Sequence, residues 1–199
     1  MDNFDKKTFQ VFTKITTVIV NIGFFVIMIL LGVILLADIV LLFIPADVFI
    51  LDASVFEQLT VRIMNVEFEV PNELIAIEAS VKWVMIFGLI AAVIGLAFIG
   101  FVFYSLRSIL KDVRAEKPFS DDNVSNLYNL SLAFLLGSVI IPAAFFFVGW
   151  RFIEVFSIEE ATVNYMIDLN WLFIGLLLGV LTGIFHYGSY LSKQVDNQT

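Results

Sequence analysis

Four long stretches of the chain contain no Asp, Glu, Lys or Arg, and they limit the possible folds more than any other feature. They comprise 23, 24, 28 and 24 residues, at 15–37, 83–106, 123–150 and 169–192. About 20 apolar residues in a helix cross a hydrocarbon core about 30 Å thick. With 60% hydrophobic and 15% charged residues, the chain has too little polar surface for a soluble globule. The sequence therefore predicts an all-α integral membrane protein, a bundle of four transmembrane helices.

We predict a single membrane domain over residues 1–199, whose helices span about 15–44, 82–115, 120–150 and 168–192. Residues 46–81 form a loop between helices 1 and 2. Within it, LTVRIMNVEFEV alternates in polarity and is rich in β-branched and aromatic residues before Pro71 and Asn72 interrupt the pattern. This pattern predicts a small extracytoplasmic β-hairpin.

The charged residues indicate the orientation in the membrane. An even number of helices puts both termini on one side. If that side and the 107–122 loop are cytoplasmic, eight basic residues lie inside and three outside, as the positive-inside rule requires. The outer side then carries eleven acidic residues, which accounts for the net charge of −8. Trp83, Trp150 and Trp171 fall at the predicted outer helix ends, where indole rings favour the interface.

The stretch KPFSDDN, at 117–123, separates helices 2 and 3. Pro118 steers the residue before it away from helical geometry, so helix 2 should end near Lys117. Ser120 is then the N-cap of helix 3, and the next two residues are aspartates at the positive end of the helix dipole. The sequence predicts a tight break between two helices.

The end of helix 2 carries Arg107, Lys111 and Arg114 on one face and an apolar stripe on another. Two interpretations stay open: snorkelling of basic side chains at a helix end, and docking of a cytoplasmic partner. On the second interpretation, the candidate partner-binding residues are Arg107, Lys111, Arg114, Phe119, Ser120 and Asn123.

Two segments resemble a known family: LRSILKDVRAEKPFSDDNVSNLYNLS in the centre and IDLNWLFIGLLLGVLTGIFHYGSYLSKQVDNQT at the carboxyl end. With the four-helix layout, the PFSxxN core and the residues Phe185, Tyr187, Gly188 and Leu191 resemble the bacterial membrane proteins grouped as domain of unknown function 2975. The chain departs from the family's more acidic tail at 194–199. The resemblance implies no known enzymatic activity and a location in the bacterial cytoplasmic membrane. Members are often encoded beside a very small helix-turn-helix regulator, which implies that the membrane protein restrains or signals to it.

A stripe of small residues on helix 4 predicts close helix packing. Gly175, Gly179 and Gly183 follow one another at four-residue intervals, which lets another backbone approach closely. The packing partner stays open between helix 2, helix 3 and another protomer, so a homo-oligomer is one of the alternatives.

Few residues in the membrane segments suggest chemistry. Asp38 is either a proton or cation ligand or an interfacial carboxylate, and we favour the interface. His186 is the only histidine and cysteine is absent, which excludes His-based and Cys-based metal clusters. Pro142 should kink helix 3 and free a carbonyl. Without a visible nucleophile and base, we predict no enzyme activity, no cofactor and no direct binding of nucleic acid.

The combined hypothesis is a non-enzymatic membrane sensor or regulatory anchor for a small cytoplasmic helix-turn-helix transcription regulator. The alternative is a self-protection protein that blocks a membrane-active cationic peptide through an acidic outer loop with Glu67, Glu69 and Glu73. A small transporter ranks third, because few polar groups converge at the bilayer midplane.

Overall fold

Four long helices dominate the chain. The computed structural model describes residues 3–50, 59–63, 66–70, 80–115, 117–156 and 163–196. Within these ranges lie α1 (Asn3–Phe43), α2 (Lys82–Arg114), α3 (Asp121–Phe156) and α4 (Leu169–Asp196), together with a 3-10 helix at Ala46–Phe49. Each long helix is apolar enough to cross a membrane. The four membrane helices predicted from the sequence are present, and the chain is a multi-pass membrane protein.

Three of the helices extend beyond the bounds that the sequence predicts. α1 begins at Asn3 rather than near residue 15, α3 continues to Phe156, and α4 continues to Asp196. The reason is that a charged residue ends an apolar stretch without ending a helix. In α3, for example, Arg151 and Glu154 form an ion pair one turn apart.

The loop between α1 and α2 contains two short strands. β1 (Leu59–Ile63) and β2 (Val66–Val70) pair antiparallel. The register places Arg62 opposite Glu67 and Thr60 opposite Glu69.

The two ends of this loop meet beside the end of α1. Ile50 forms an isolated antiparallel bridge with Ser80. The ammonium group of Lys82 donates to the carbonyls of Leu42 and Ile44, at 3.1 and 2.6 Å. The last carbonyls of a helix have no partner within that helix, so a cation there both satisfies them and complements the helix dipole.

Backbone contacts divide the chain into two compact units. The first consists of Met1–Leu30, Leu96–Ser138 and Asp168–Thr199, and the second of Leu31–Gly95 and Val139–Ile167. In the second unit the buried side chains are apolar, among them Leu41, Ile86, Phe152 and Phe156. The rings of Phe152 and Phe156 lie 4.8 Å apart between centroids.

The first unit is built differently, since many of its buried side chains are small and polar. They are Thr13, Ser105, Asn123, Ser131, Ser138 and Ser189. Large apolar side chains gain little by leaving lipid, whereas small residues let helices approach closely. A cluster of larger rings fills the remaining space: Phe98 lies 5.1 Å from Phe134 and 4.4 Å from Trp171, between centroids.

Two of the three glycines in the α4 stripe pack against α3. A Cβ added to Gly175 would lie 2.9 Å from Cγ of Leu135 and 3.0 Å from its backbone nitrogen. The Ser131 hydroxyl donates to the Gly175 carbonyl at 2.7 Å, and a Cβ on Gly179 would lie 3.2 Å from the Ser131 oxygen. A Cβ on Gly183 would meet no described atom within 4 Å. Helix 3 is thus the packing partner of Gly175 and Gly179.

Pro142 lies inside α3 and leaves the Ser138 carbonyl without its helical donor, because proline has no N–H. The Asp168 N–H donates to this carbonyl at 3.0 Å. The Asp168 carboxylate in turn accepts from the N–H groups of Asn170 and Trp171, at 2.9 and 3.3 Å, and so caps α4. The carbonyl freed by the proline is satisfied by the residue that begins the next helix.

We expect Gly175→Ala to lower the free energy of unfolding by about 1–3 kcal/mol, the usual cost of overpacking. The added methyl group would meet backbone of α3, which cannot move aside as a side chain tip can. The matched control is Gly183→Ala, which we expect to change stability by less than about 1 kcal/mol. Unfolding of the purified protein in mild detergent by titration with dodecyl sulfate measures both. Equal unfolding midpoints for the two variants would contradict this packing.

Candidate functional site

The α2–α3 turn, residues 117–120, is held by polar side chains that surround it. The Asn123 N–H donates to Oγ of Ser120 at 3.2 Å, so Ser120 is the N-cap of α3, as the sequence predicts. The Ser120 hydroxyl donates to the Asp112 carboxylate at 2.6 Å. Asn123 is 0% exposed, and its Nδ2 donates to the Pro118 carbonyl at 3.0 Å. Asn123, proposed from the sequence as a partner contact, has no surface with which to contact a partner.

The turn packs onto α4 through Phe119. The rings of Phe119 and Phe185 lie 5.2 Å apart between centroids. A Cβ on Gly188 would lie 2.7 Å from a ring carbon of Phe119, so glycine provides the space for this ring. The two motifs that carry the family resemblance, PFSxxN and the element with Phe185 and Gly188, therefore contact one another. Phe119 remains 43% exposed.

Asp121 adds a polar connection beside this aromatic contact. Its carboxylate accepts from the Lys193 ammonium at 2.7 and 2.9 Å and from the Ser189 hydroxyl at 2.9 Å. His186 and Gly183 of α4 line a shallow groove next to Asp121. The ion pair is exposed, so its contribution to stability is small.

Arg107, Lys111 and Arg114 line a single groove, which we call the basic groove. The opposite wall comes from α1 and includes Thr17 and Asn21. The Arg107 guanidinium carbon lies 5.8 Å from the ring centroids of both Phe24 and Phe25, within the range of cation–π attraction. No acidic residue is among the described residues that line the groove.

The sequence finds the α2 wall of this groove but misses the α1 wall. The helical spacing of Arg107, Lys111 and Arg114 predicts that they share a face. Thr17 and Asn21 are polar residues in an apolar stretch of α1, and no local pattern connects them with the cations of α2. Only the packing of α1 against α2 brings them together.

The other candidate residues lie apart from the turn. Glu67 and Glu69 belong to β2, and Glu73 lies outside the described residues. Asp38 is partly buried, and its Oδ1 has no hydrogen-bond partner in the part of the chain that the structure describes. Across the same residues, no group of three or more His, Cys, Asp or Glu side chains could hold a metal ion.

Comparison with known proteins identifies a family. A family model described as "Protein of unknown function (DUF2975)" matches residues 67–197, a range that includes all of α2, α3 and α4. Neither a curated protein nor a solved structure matches the chain. The match contains the turn, its α4 contact and one wall of the basic groove, whereas the α1 wall lies outside it.

We expect Ser120→Ala to loosen the turn, because the Asn123 N–H and the Asp112 carboxylate would both lose a partner. Loss of a helix N-cap costs about 0.5–2 kcal/mol. Hydrogen–deuterium exchange should therefore accelerate at the backbone amides of 121–124. The matched control is Ser125→Ala, an exposed serine in the next turn of α3, which should exchange as the unaltered protein does. Equal exchange in both variants would show that Ser120 does not hold the turn.

Proposed function

The chain belongs to the family of proteins of unknown function DUF2975, and we propose that it is a non-enzymatic membrane sensor or regulatory anchor. Its output would be restraint of, or a signal to, a small cytoplasmic helix-turn-helix transcription regulator. The observation that carries the proposal is the set of three cations in the basic groove, whose side chains form no ion pair with any described residue.

The chemistry of this region fits a protein contact. Arginine and exposed aromatic rings are enriched where protein partners bind most tightly, and the region offers Arg107, Arg114 and the 43% exposed Phe119. Arginine can also bind a carboxylate through two parallel hydrogen bonds. We therefore propose that the regulator presents acidic side chains to Arg107, Lys111 and Arg114 and an apolar contact to Phe119. Ser120 and Asn123 would hold the turn in shape rather than touch the partner.

This function requires the turn to face the cytoplasm. The excess of basic residues supports an inward turn and inward termini, in a bacterial cytoplasmic membrane, with the β1–β2 hairpin on the outer side. On this topology the hairpin and its loop would meet the signal, an envelope condition or a peptide.

A second candidate is self-protection against a membrane-active cationic peptide. Two features favour it: the acidic excess in the proposed outer segments, and the position of Glu67 and Glu69 in a paired strand, where their spacing is fixed. With Glu73, these residues would attract a cationic peptide.

Replacement of all three by glutamine should then abolish protection in cells and leave capture of a cytoplasmic regulator unchanged.

We expect the proposed topology to be visible by thiol labelling, because the chain contains no cysteine. Asp47→Cys, in the exposed 3-10 helix, should react in intact spheroplasts with a maleimide that cannot cross membranes. Lys117→Cys, exposed in the turn, should react only after the membrane is opened. The reverse pattern would place the turn outside and would remove the basis for a cytoplasmic regulator.

We expect the combined variant Arg107→Ala, Lys111→Ala and Arg114→Ala to lose a regulator that co-purifies with the unaltered protein from native membranes. Mass spectrometry of the captured proteins and a reporter for the regulator measure the loss. Lys14→Ala removes an exposed cation of α1 that does not line the groove and should leave capture unchanged. If the regulator keeps full activity and remains bound in the triple variant, with normal membrane insertion, these cations are not the contact.

A further inference from the structure

The basic groove has the size and charge of a site for a phosphate group. Its volume is about 670 Å³, within the usual range for small-molecule pockets. Arg107, Lys111 and Arg114 follow one another at intervals of four and three residues, so they stand on one face of α2. Asp112, the acidic residue nearest to them in sequence, already accepts the Ser120 hydroxyl at 2.6 Å. Three cations thus face one groove, and no carboxylate among the described residues lines it.

The most constrained of these cations is Arg107. The rings of Phe24 and Phe25 attract its guanidinium carbon from 5.8 Å each, which orients the group beside the wall formed by α1. This attraction uses no N–H donor. Among the described residues, no acceptor takes a hydrogen bond from the Arg107 side chain, so its donors remain available to an anion.

The neutral lining adds further donors and one acceptor. Ser108 accepts from Nδ2 of Asn126 at 3.0 Å, so its own hydroxyl hydrogen can donate into the groove. The Asn21 Oδ1 atom is buried and has no donor in the described part of the chain. A ligand that combines phosphate oxygens with a hydroxyl group would satisfy the cations, Ser108 and Asn21 together.

The position of the groove along the helices indicates where such a ligand lies. Thr17 and Asn21 stand in the first two turns of the charge-free stretch 15–37, and Tyr104 stands in the last turn of 83–106. The groove therefore lies where apolar helix gives way to charged helix, which is the level of lipid head groups. Basic pockets between membrane helices at that level bind anionic head groups.

We propose that the basic groove binds the phosphate diester of an anionic phospholipid whose head group carries hydroxyl groups, as that of phosphatidylglycerol does. The cations bind the phosphate oxygens, and Oδ1 of Asn21 accepts a hydrogen bond from a head-group hydroxyl. A soluble phosphate ester offers the same chemistry, so the experiment includes both sources. The regulator proposed above would bind the same cations, so it would compete with the lipid phosphate, but binding of the lipid itself does not depend on the regulator.

The test is native mass spectrometry of the full-length protein, titrated in mild detergent with phosphatidylglycerol, phosphatidylcholine, glycerol 3-phosphate or inorganic phosphate. No regulator is present. The groove variant is Arg107→Ala with Lys111→Ala, and the matched control is Lys14→Ala with Lys117→Ala. Each pair removes two positive charges, but only the first pair lines the groove. We expect phosphatidylglycerol to bind the unaltered protein and the control alike, and the groove variant more than about tenfold more weakly.

Four outcomes would overturn the lipid site. Equal weakening in both variants would indicate general attraction to a basic surface, equal binding in all proteins would place the lipid elsewhere, and equal affinity for phosphatidylcholine would remove the role of charge. Binding of glycerol 3-phosphate or inorganic phosphate alone, lost only in the groove variant, would replace the lipid by a soluble phosphate ligand.

A second variant covers the case in which the groove variant does not fold. Asn21→Leu keeps every charge and removes the buried acceptor. We expect it to bind phosphatidylglycerol several-fold more weakly while its affinity for phosphatidic acid, which has no head-group alcohol, stays the same. Unchanged preference for phosphatidylglycerol over phosphatidic acid would contradict the role of Asn21.

Discussion

A backbone carbonyl inside a hydrocarbon layer must find a donor within the protein, and α3 contains one that its own helix cannot satisfy. Pro142 removes the donor for Ser138, and the N–H of Asp168 replaces it. Asp168 is also the N-cap of α4. Asp168 thus supplies the donor that the Ser138 carbonyl lacks and also begins α4, which fixes where α4 starts relative to α3. The contacts of α4 with α3 and with the turn all follow from that starting point.

The start of α4 also brings this helix close to α3. Because α4 begins beside Ser138, Gly175 and Gly179 meet Leu135 and Ser131 on the α3 surface. Small residues at this contact provide the packing that large apolar side chains cannot provide in lipid. Further along α4, Gly188 leaves room for the Phe119 ring, so the turn is held by the same helix that the proline fixes.

The sequence predicts the elements of this structure better than their contacts. Charge-free length predicts four helices because the bilayer imposes that length, and Ser120 is recognisable as an N-cap because capping is local. Burial of a side chain, in contrast, depends on contacts with segments that are distant in the sequence. Asn123 is suggested as a partner contact by its place in a polar loop, yet it is 0% exposed, and its Nδ2 donates to the Pro118 carbonyl. The contacts of Trp171 with Phe98 and Phe134 likewise join segments that are distant in the sequence.

The basic groove is likewise predictable from the sequence only in part. Helical periodicity places Arg107, Lys111 and Arg114 on one face, because the spacing is a property of α2 alone. Asn21 enters the site from α1, and its separation of more than eighty residues from those cations leaves no pattern for sequence reasoning to find. Of a site formed by two distant segments, the sequence therefore predicts only the part that lies within one helix.

The proposed regulator and the proposed lipid would compete, because both bind the same cations of the basic groove. A carboxylate of a regulator and a phosphate of a lipid cannot occupy Arg107 and Lys111 at the same time, so each would weaken the binding of the other by the same factor. A lipid that carries one negative charge would then set a threshold that the regulator must exceed. The membrane composition around the basic groove would become part of the signal, without any change in the fold.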